Sequence, residues 1–423
     1  MNKSKKIKVL MVVEQCNPNW SSVPLEGYKY FQQISELVDV TLVTHERNQK
    51  DLKSRHSDDN IIFIPESKLA QKYYRNIVTL ASKGTINWPL AHTLSYPIYA
   101  EFNHRVYQQF KDEVLQRKYD IVHALTPMIP RYPVKLINAC QNTPFLLGPV
   151  NGGVPFPPGF QKIAKKEFAN LNFLRSIGRM LIPGYLQTYQ KADQVLSGST
   201  YTLNWLKDSL KVSDDHIDLF YENGIDPTFL TDQPKTRTSD RVNLLFVGRL
   251  VPYKCADILI DAIAQLENSI QQKVHLTIVG DGSERTALEA SVKQLNLQEL
   301  VTFTGWVKQE QTLEFYQNSD LFCFPSIREF GGAVVLEAMA CGLPCIVVNN
   351  GGIGEYVTET TGFKIEPISR DFIRDELTQK IQTLVENEPL WQSMSAQSIQ
   401  RAKDFLWTTK AQKIVNIYQQ LSR

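Results

Sequence analysis

Short, nearly continuous apolar runs alternate with segments of helical periodicity along the chain. In the first half the runs are KVLMVV (8–13), VTLVTH (40–45), IIFIP (61–65), DIVHAL (120–125) and PFLLGPV (144–150), with a helical stretch from about Gly27 to Val38. Such runs fit strands buried on both faces, and their alternation with helices predicts βαβ units and a parallel sheet. The pattern restarts at VNLLFVG (242–248). It continues through a helix over 255–266, HLTIVG (275–280), a helix over 284–295, VTFTG (301–305), DLFCFPS (320–326) and PCIVV (344–348). Two doubly wound sheets are therefore expected. TDQPKTRTSDR (231–241), polar and aperiodic, reads as a linker or surface loop. The tail from about 405, DFLWTTKAQKIVNIYQQL, reads as a helix whose apolar stripe packs back across the N-terminal domain.

Length agrees with this division, since 423 residues exceed what one hydrophobic core organises. The 46 Lys and Arg against 44 Asp and Glu leave +2, so no overall basic field points to nucleic acid. Cys16, Cys140, Cys255, Cys323, Cys341 and Cys345 form no C-x-x-C pair, and most lie in apolar runs, as expected of reduced thiols in a cytoplasmic protein. The basic start MNKSKKIKVLMVVEQ resembles a signal peptide, but its apolar run ends at Glu14 after about six residues, too short for the hydrophobic segment of one. No uncharged apolar run of about eighteen residues occurs, so no membrane-spanning helix is expected.

In open parallel sheets ligands bind beyond the carboxyl ends of the strands, and two facing sheets would leave a cleft lined by those loops. The stretch EFGGAVVLE (329–337) follows such a strand. On one helix its two acids would stand about 80° apart, sharing no face. The reading is instead a loop holding Glu329, a glycine pair permitting close backbone approach, and a helix AVVLEAMA that contains Glu337 and stops at Gly342. Free N–H groups near Gly331, Gly332 and Ala333 favour an anion or hydroxyl oxygens, and two separate carboxylates suit a ligand with two hydroxyl-bearing rings. A nucleotide sugar has both rings and a diphosphate between them. FVGRLVPYK (246–254) supplies Arg249 and Lys254 for that diphosphate, again just after a strand. Each of these residues alone would be read as a solvated charge; their order along successive strand ends gives the reading its weight.

NGID (223–226), FVGRLVPYK (246–254), IVGDGSER (278–285), FTGWV (303–307), EFGGAVVLEAMACGLPCIV (329–347) and GGIGEYV (351–357) together resemble a family 4 retaining glycosyltransferase of the GT-B fold. The likeness covers nearly the whole C-terminal half and continues more thinly through DIVHA (120–124), GPVNGG (148–153) and LSGS (196–199). It implies an α/β architecture of two Rossmann-like domains facing across a cleft. An acceptor-binding domain would span 1–222, a nucleotide-sugar-binding domain 223–404, and a C-terminal helix 405–423. It further implies that Glu329 holds donor-sugar hydroxyls beside the Gly331 and Gly332 amides, that Glu337 holds the ribose diol, and that Arg249 and Lys254 neutralise the diphosphate. The backbone of Trp306 and Val307 would meet the base edge, Gly27 would open the first long helix near the phosphate or acceptor, and His123 and Asn151 would reach the donor from the N-terminal domain. Two departures stand out. Phe330 comes one residue after the first acid, where an aromatic two residues after it is common. Leu125 occupies a position where the family often has a functional His.

The remaining signals are negative. GDGSER (280–285) is not the dinucleotide fingerprint, no D-x-D occurs, the seven His show no metal-ligand spacing, and no G-x-S-x-G is present. The expectation is a metal-independent, cofactor-free retaining hexosyltransferase that acts on a lipid-linked or growing polysaccharide acceptor. Alternatives are a GT-B phosphorylase, which would need pyridoxal, and a catalytically silent nucleotide-sugar-binding protein. QKIAKKEFANLNFLRSIGRMLIP (161–183) carries five Lys or Arg and one Glu over an amphipathic pattern. It reads either as a helix packed on the N-terminal sheet or as a peripheral contact with an anionic membrane at its cytoplasmic face.

Overall fold

The structure, a computed structural model, describes residues 6–56, 60–82, 88–167, 182–237 and 239–423, with the side chains of 77–82 and 88–93 left aside. Two compact units divide the chain. Unit 1 comprises Met1–Gly153, Glu167–Glu222 and Trp407–Arg423; unit 2 comprises Val154–Lys166 and Asn223–Leu406.

Unit 1 holds a seven-stranded parallel sheet of β1 (Lys8–Val12), β2 (Asp39–His45), β3 (Ile61–Ile64), β4 (Ile121–Ala124), β5 (Phe145–Val150), β6 (Gln194–Ser197) and β7 (Ile217–Leu219), in the order β3-β2-β1-β4-β5-β6-β7. Successive residues of β1 serve opposite faces. Leu10 and Val12 pack with Phe102, Phe110 and Tyr189 on one side; Val9 and Met11 pack with Tyr28, Phe31 and Ile34 on the other. This double burial is why the strands read as unbroken apolar runs. The second face is also covered by the helix Trp407–Leu421, which contributes Trp407, Ile414 and Tyr418, with the Trp407 ring edge-on to Tyr30 at 4.9 Å.

Unit 2 holds a six-stranded parallel sheet of β8 (Val242–Val247), β9 (Val274–Val279), β10 (Val301–Gly305), β11 (Leu321–Phe324), β12 (Cys345–Val348) and β13 (Gly362–Ile365), in the order β10-β9-β8-β11-β12-β13. In each sheet the order reverses beside its first strand, between β1 and β4 in one and between β8 and β11 in the other. Ligand crevices form at such reversals.

Several expectations change. The first long helix runs Val23–Ser35 and starts four residues before Gly27, because Pro24 supplies a preset first turn. Gly27 therefore does not open the helix. It lies inside it, where an added Cβ would fall 2.6 Å from the Gln15 carbonyl oxygen and 2.8 Å from a Val13 methyl. The stretch 231–241 is no junction, since the units divide at Glu222/Asn223. It is pinned within unit 2: Lys235 Nζ donates to the Tyr316 and Gln317 carbonyls at 3.1 and 2.6 Å, and the Arg237 guanidinium lies 4.5 Å over the Trp391 ring. Val154–Lys166, expected in the N-terminal domain, packs in unit 2; the short helix Gln161–Lys166 lies beside the 3-10 turn Pro252–Lys254. The remainder of the basic stretch, 168–181, lies outside the described residues. Among the described residues no helix is long and apolar enough to cross a membrane. All six cysteines are free thiols.

Candidate functional site

The loops after β8 and β11 meet at the reversal of the second sheet. The Ile327 amide donates to the Tyr253 carbonyl at 3.0 Å, stitching the two strand ends together. Across this stitch Lys254 Nζ pairs with Glu329 Oε2, and Ser326 Oγ donates to the same oxygen at 3.3 Å. Lys254 is 8 % exposed, its ammonium 4.7 Å over the Phe324 ring. Glu329 is more open, with a side-chain exposure of 18 %. Among the described residues no group bonds Glu329 Oε1, so this carboxylate keeps one oxygen for a further donor. Arg249 is exposed at the head of the same turn, its Nη2 donating to the Tyr253 hydroxyl at 2.7 Å. The structure thus joins two residues that the sequence reading assigned to separate parts of a ligand.

The glycine pair has a steric cause. Gly332 caps the helix Ala333–Ala340 with φ +79°, and an added Cβ would lie 2.4 Å from an Ile353 methyl. Opposite it, Gly351 (φ +88°) passes so close that a Cβ would sit 1.8 Å from the Glu329 carbonyl oxygen. Only glycine permits that approach in that conformation. The Glu329 loop is clamped between β11 and the loop after β12, and the Ala333 and Val334 amides head the helix with no intrahelical partner. Gly331, Gly332 and Ala333 lie together at this helix start.

Glu337 occupies that helix and is 6 % exposed. Its Oε1 accepts from Gln309 Nε2 at 3.0 Å and its Oε2 from the Tyr316 hydroxyl at 2.9 Å. Burial raises its pKa, with both hydrogen bonds opposing the rise. Each oxygen retains one lone pair. Gln309 follows Trp306 and Val307 in the loop after β10, so the base-edge candidates and the second acid are linked; Trp306 is 72 % exposed.

Phe330 has its own role. The Arg328 guanidinium lies 5.0 Å from its ring centre and 4.8 Å from that of Phe156, while Arg328 Nε donates to the Val154 carbonyl at 2.7 Å. The displaced aromatic anchors the VPF segment (154–156) to the Glu329 loop. Arg328, Ser326, Tyr253, Gln309 and Tyr316 escaped the sequence reading. None stands in a recognisable motif role, and a site offering two acids gives no sign of which neighbours hold them.

The unit 1 candidates are all buried. His123 is fully buried in β4, with Nε2 2.6 Å from the Gly148 carbonyl and Nδ1 2.6 Å from the Tyr418 hydroxyl. A carbonyl can only accept, so Nε2 carries the proton and Nδ1 accepts from tyrosine. Burial lowers its pKa to about 4, and both nitrogens are occupied. It is a structural histidine joining β4 to the C-terminal helix. Asn151 is 1 % exposed, and its Oδ1 accepts from Ser199 Oγ at 2.8 Å, with Thr202 Oγ1 also at 2.8 Å. That oxygen fastens the 148–153 loop to the start of the helix Thr200–Leu210. Gly27 is a packing glycine.

Residues 230–403 match the family described as glycosyl transferases group 1. An uncharacterized glycosyltransferase of Methanocaldococcus jannaschii is 28 % identical over 232 residues, 55 % of this chain and 60 % of that protein. A D-inositol 3-phosphate glycosyltransferase of Corynebacterium aurimucosum is 29 % identical over 179 residues, 41 % of this chain and 42 % of its own. These matches therefore span less than two thirds of either relative. Among solved structures, Anabaena HepE in complex with UDP superposes with a TM-score of 0.64 at 17 % identity, over 98 % of this chain and 100 % of that one. Two parallel-sheet Rossmann-like units give the chain the GT-B fold of these structures, and residues 230–403 carry a domain similar to the glycosyl transferases group 1 family.

Proposed function

We propose that the chain is a retaining, metal-independent hexosyltransferase that moves a hexosyl unit from a nucleotide diphosphate sugar to a lipid-linked or growing polysaccharide acceptor. The observation that carries this reading is the convergence of Lys254 and Glu329 at the reversal of the second sheet, where a ligand is expected. Glu329 Oε1 accepts a donor-sugar hydroxyl, and the amides heading the helix Ala333–Ala340 lie beside it. Arg249 and Lys254 oppose the diphosphate charge that grows as the glycosidic bond breaks; fixed cations aimed at developing charge are a strong catalytic lever. The acceptor attacks on the face the diphosphate leaves, and a phosphate oxygen takes the proton. Glu337 accepts from the ribose diol through its remaining lone pairs, and the Trp306–Val307 backbone meets the base. Relatives named as glycosyltransferases, and HepE bound to UDP, support the donor class.

The reading extends to a cytoplasmic protein at the inner membrane face, with Lys162, Lys165 and Lys166 exposed on the described part of the basic stretch. A thermal-shift screen of uridine, guanosine and adenosine diphosphate sugars tests the donor half. Ligand at about 100 times its Kd stabilises by about 2.7 kcal/mol, an easily measured rise. A flat response to every nucleotide sugar would remove the reading. Transfer abolished by EDTA would remove its metal-independent part.

A further inference from the structure

One segment of unit 2 comes from the N-terminal half of the chain. The chain leaves unit 1 after Gly153, runs through Val154–Lys166 within unit 2, and rejoins unit 1 at Glu167. The first part of this excursion, VPFPPGF (154–160), has prolines at 155, 157 and 158, so it offers few amides and cannot pair as a strand. Its carbonyls still need donors, and side chains from the loops after β11 and β12 supply them. Arg328 Nε donates to the Val154 carbonyl at 2.7 Å, and Asn350 Nδ2 donates to the Pro155 carbonyl at 3.2 Å. Val154 and Phe160 are buried at the two ends of the segment. Beside Phe160, Gly159 passes so near Ile368 that an added Cβ would fall 2.1 Å from its carbonyl oxygen.

These contacts converge on the turn that carries Glu329. Asn350 Nδ2 also donates to the Ile327 carbonyl at 2.7 Å, and the Gly352 amide donates to the Phe330 carbonyl at 2.9 Å. Glu329 itself pairs with Gly351 in a single parallel bridge. Lys254 and Ser326 occupy Glu329 Oε2, whereas the direction of Oε1 follows from how the backbone of 327–330 is held. Arg328 stands in the middle of that turn. Its guanidinium lies 4.8 Å over the Phe156 ring and 5.0 Å over the Phe330 ring while its Nε–H is spent on Val154. A planar cation lying over two rings and hydrogen-bonded at its edge keeps little rotational freedom.

We infer that Arg328 is a positioning residue for the donor sugar: it locks the Glu329 turn onto the 154–156 brace and so sets the direction of Glu329 Oε1. The inference rests on the transferase reading and gives sugar recognition a support that touches no sugar atom. Hydrogen bonds to sugar hydroxyls are directional, and displacing a positioning group by about 1 Å costs up to about a hundredfold. A nucleoside diphosphate has no hexose, and its expected contacts, Arg249, Lys254, Glu337 and the Trp306–Val307 backbone, are carried by other elements. Loosening the brace therefore weakens the nucleotide sugar and spares the nucleoside diphosphate. Phe156 serves the same end from the other side, although it lies 173 positions before Glu329 in the sequence.

The test compares the full chain with Arg328→Ala, Phe156→Ala and the double variant. The probes are UDP-glucose, GDP-mannose and ADP-glucose, each beside its sugar-free UDP, GDP or ADP. Calorimetry gives the Kd values, and hydrogen exchange of peptides covering 327–334 is followed without ligand. For the nucleotide that wild type binds, the nucleotide-sugar Kd should rise about tenfold or more in each single variant, with the nucleoside diphosphate Kd level. The double variant should be no worse than the weaker single one, because both changes release the same contact. Exchange over 327–334 should quicken in all three, with β8 and β9 unchanged and unfolding curves establishing that each variant folds. Phe156→Ala is the decisive variant, since it removes no charge. Nucleoside diphosphate weakened in Arg328→Ala but not in Phe156→Ala would mean that Arg328 meets the phosphates directly, and would overturn the inference. Parallel loss of both ligands, unchanged relative affinity, or unchanged exchange in either variant would overturn it too. A wild type that binds none of the nucleotide sugars would instead strike the transferase reading, with exchange still deciding whether Arg328 holds the turn.

Discussion

Lys254 and Glu329, 75 positions apart in sequence, form one ion pair at the meeting of two strand ends. The pair is nearly enclosed, with side-chain exposures of 10 % and 18 %, so each charge depends on the other. Removing one partner of a buried pair commonly costs about 3–5 kcal/mol, because the survivor is left uncompensated. Partial exposure puts this pair near the low end. Glu329→Ala and Lys254→Ala should each lower the unfolding free energy, and the double variant should lose less than the sum. A urea double-mutant cycle measures the coupling. Additive losses would mean that the two charges are independently solvated. Either single change should also weaken nucleotide-sugar binding, so activity lost in Glu329→Ala must be read beside its stability.

Gly351→Ala should act on the same loop without touching a charge. The new methyl would strike the Glu329 carbonyl oxygen, and φ +88° is strained for alanine. A loss of about 1–3 kcal/mol is expected, with nucleotide-sugar affinity falling alongside it. A variant with unchanged melting temperature and affinity would contradict the clamped geometry.

His123→Ala separates a structural histidine from a ligand-facing one. The change opens a cavity and strands the Tyr418 hydroxyl and the Gly148 carbonyl, so a loss of about 2–4 kcal/mol is expected. Nucleotide-sugar affinity of the folded variant should equal that of wild type. A large affinity loss at full stability would return His123 to the ligand.

The buried Lys410 gives unit 1 a distinctive stability profile. It is 3 % exposed, donates to the Tyr221 carbonyl and lies 4.1 Å over the Phe220 ring; burial lowers its pKa to about 7. Burial raises the neighbouring Glu26 well above the carboxylate range, with Lys410 opposing. Between about pH 7 and the ordinary lysine range the unfolded chain holds a proton that the native state has released. Stability therefore climbs with pH across that window, by up to about 1.4 kcal/mol per unit. The raised Glu26 acts oppositely from the ordinary carboxylate range upward, since the native state keeps the proton. Lys410→Met should abolish the alkaline climb. Chemical denaturation at pH 7 and pH 9 checks this, and a parallel climb in the variant would assign it elsewhere.

Most strands buried on both faces were legible, because VLMVV or LFCF has no polar position to confuse the pattern; β6 (QVLS), buried but only four residues long, was not. β6, β7 and β13 were missed; IDL and GFKI are three and four residues long and carry charges, so periodicity has nothing to act on. The donor-side residues were readable because they follow successive strands of unit 2. Which of them touch was not, since the Lys254–Glu329 pairing depends on strand order in space. His123 showed the reverse problem. A histidine inside an apolar run looks chemical in sequence, whereas its partners, Gly148 and Tyr418, come from 25 and 295 positions away.

A ribosome that has delivered the first 222 residues has made all seven strands of the first sheet and only part of its covering. The surface awaiting Trp407, Ile414 and Tyr418 stays open through nearly two hundred further residues, while Asn223–Leu406 of the other unit is synthesised. The nascent chain thus carries an uncovered apolar face for a large part of its synthesis, a natural landing place for holdase chaperones. Expression of this protein should accordingly be more sensitive to changes at Trp407, Ile414 and Tyr418 than to changes of equal size in the core of unit 2.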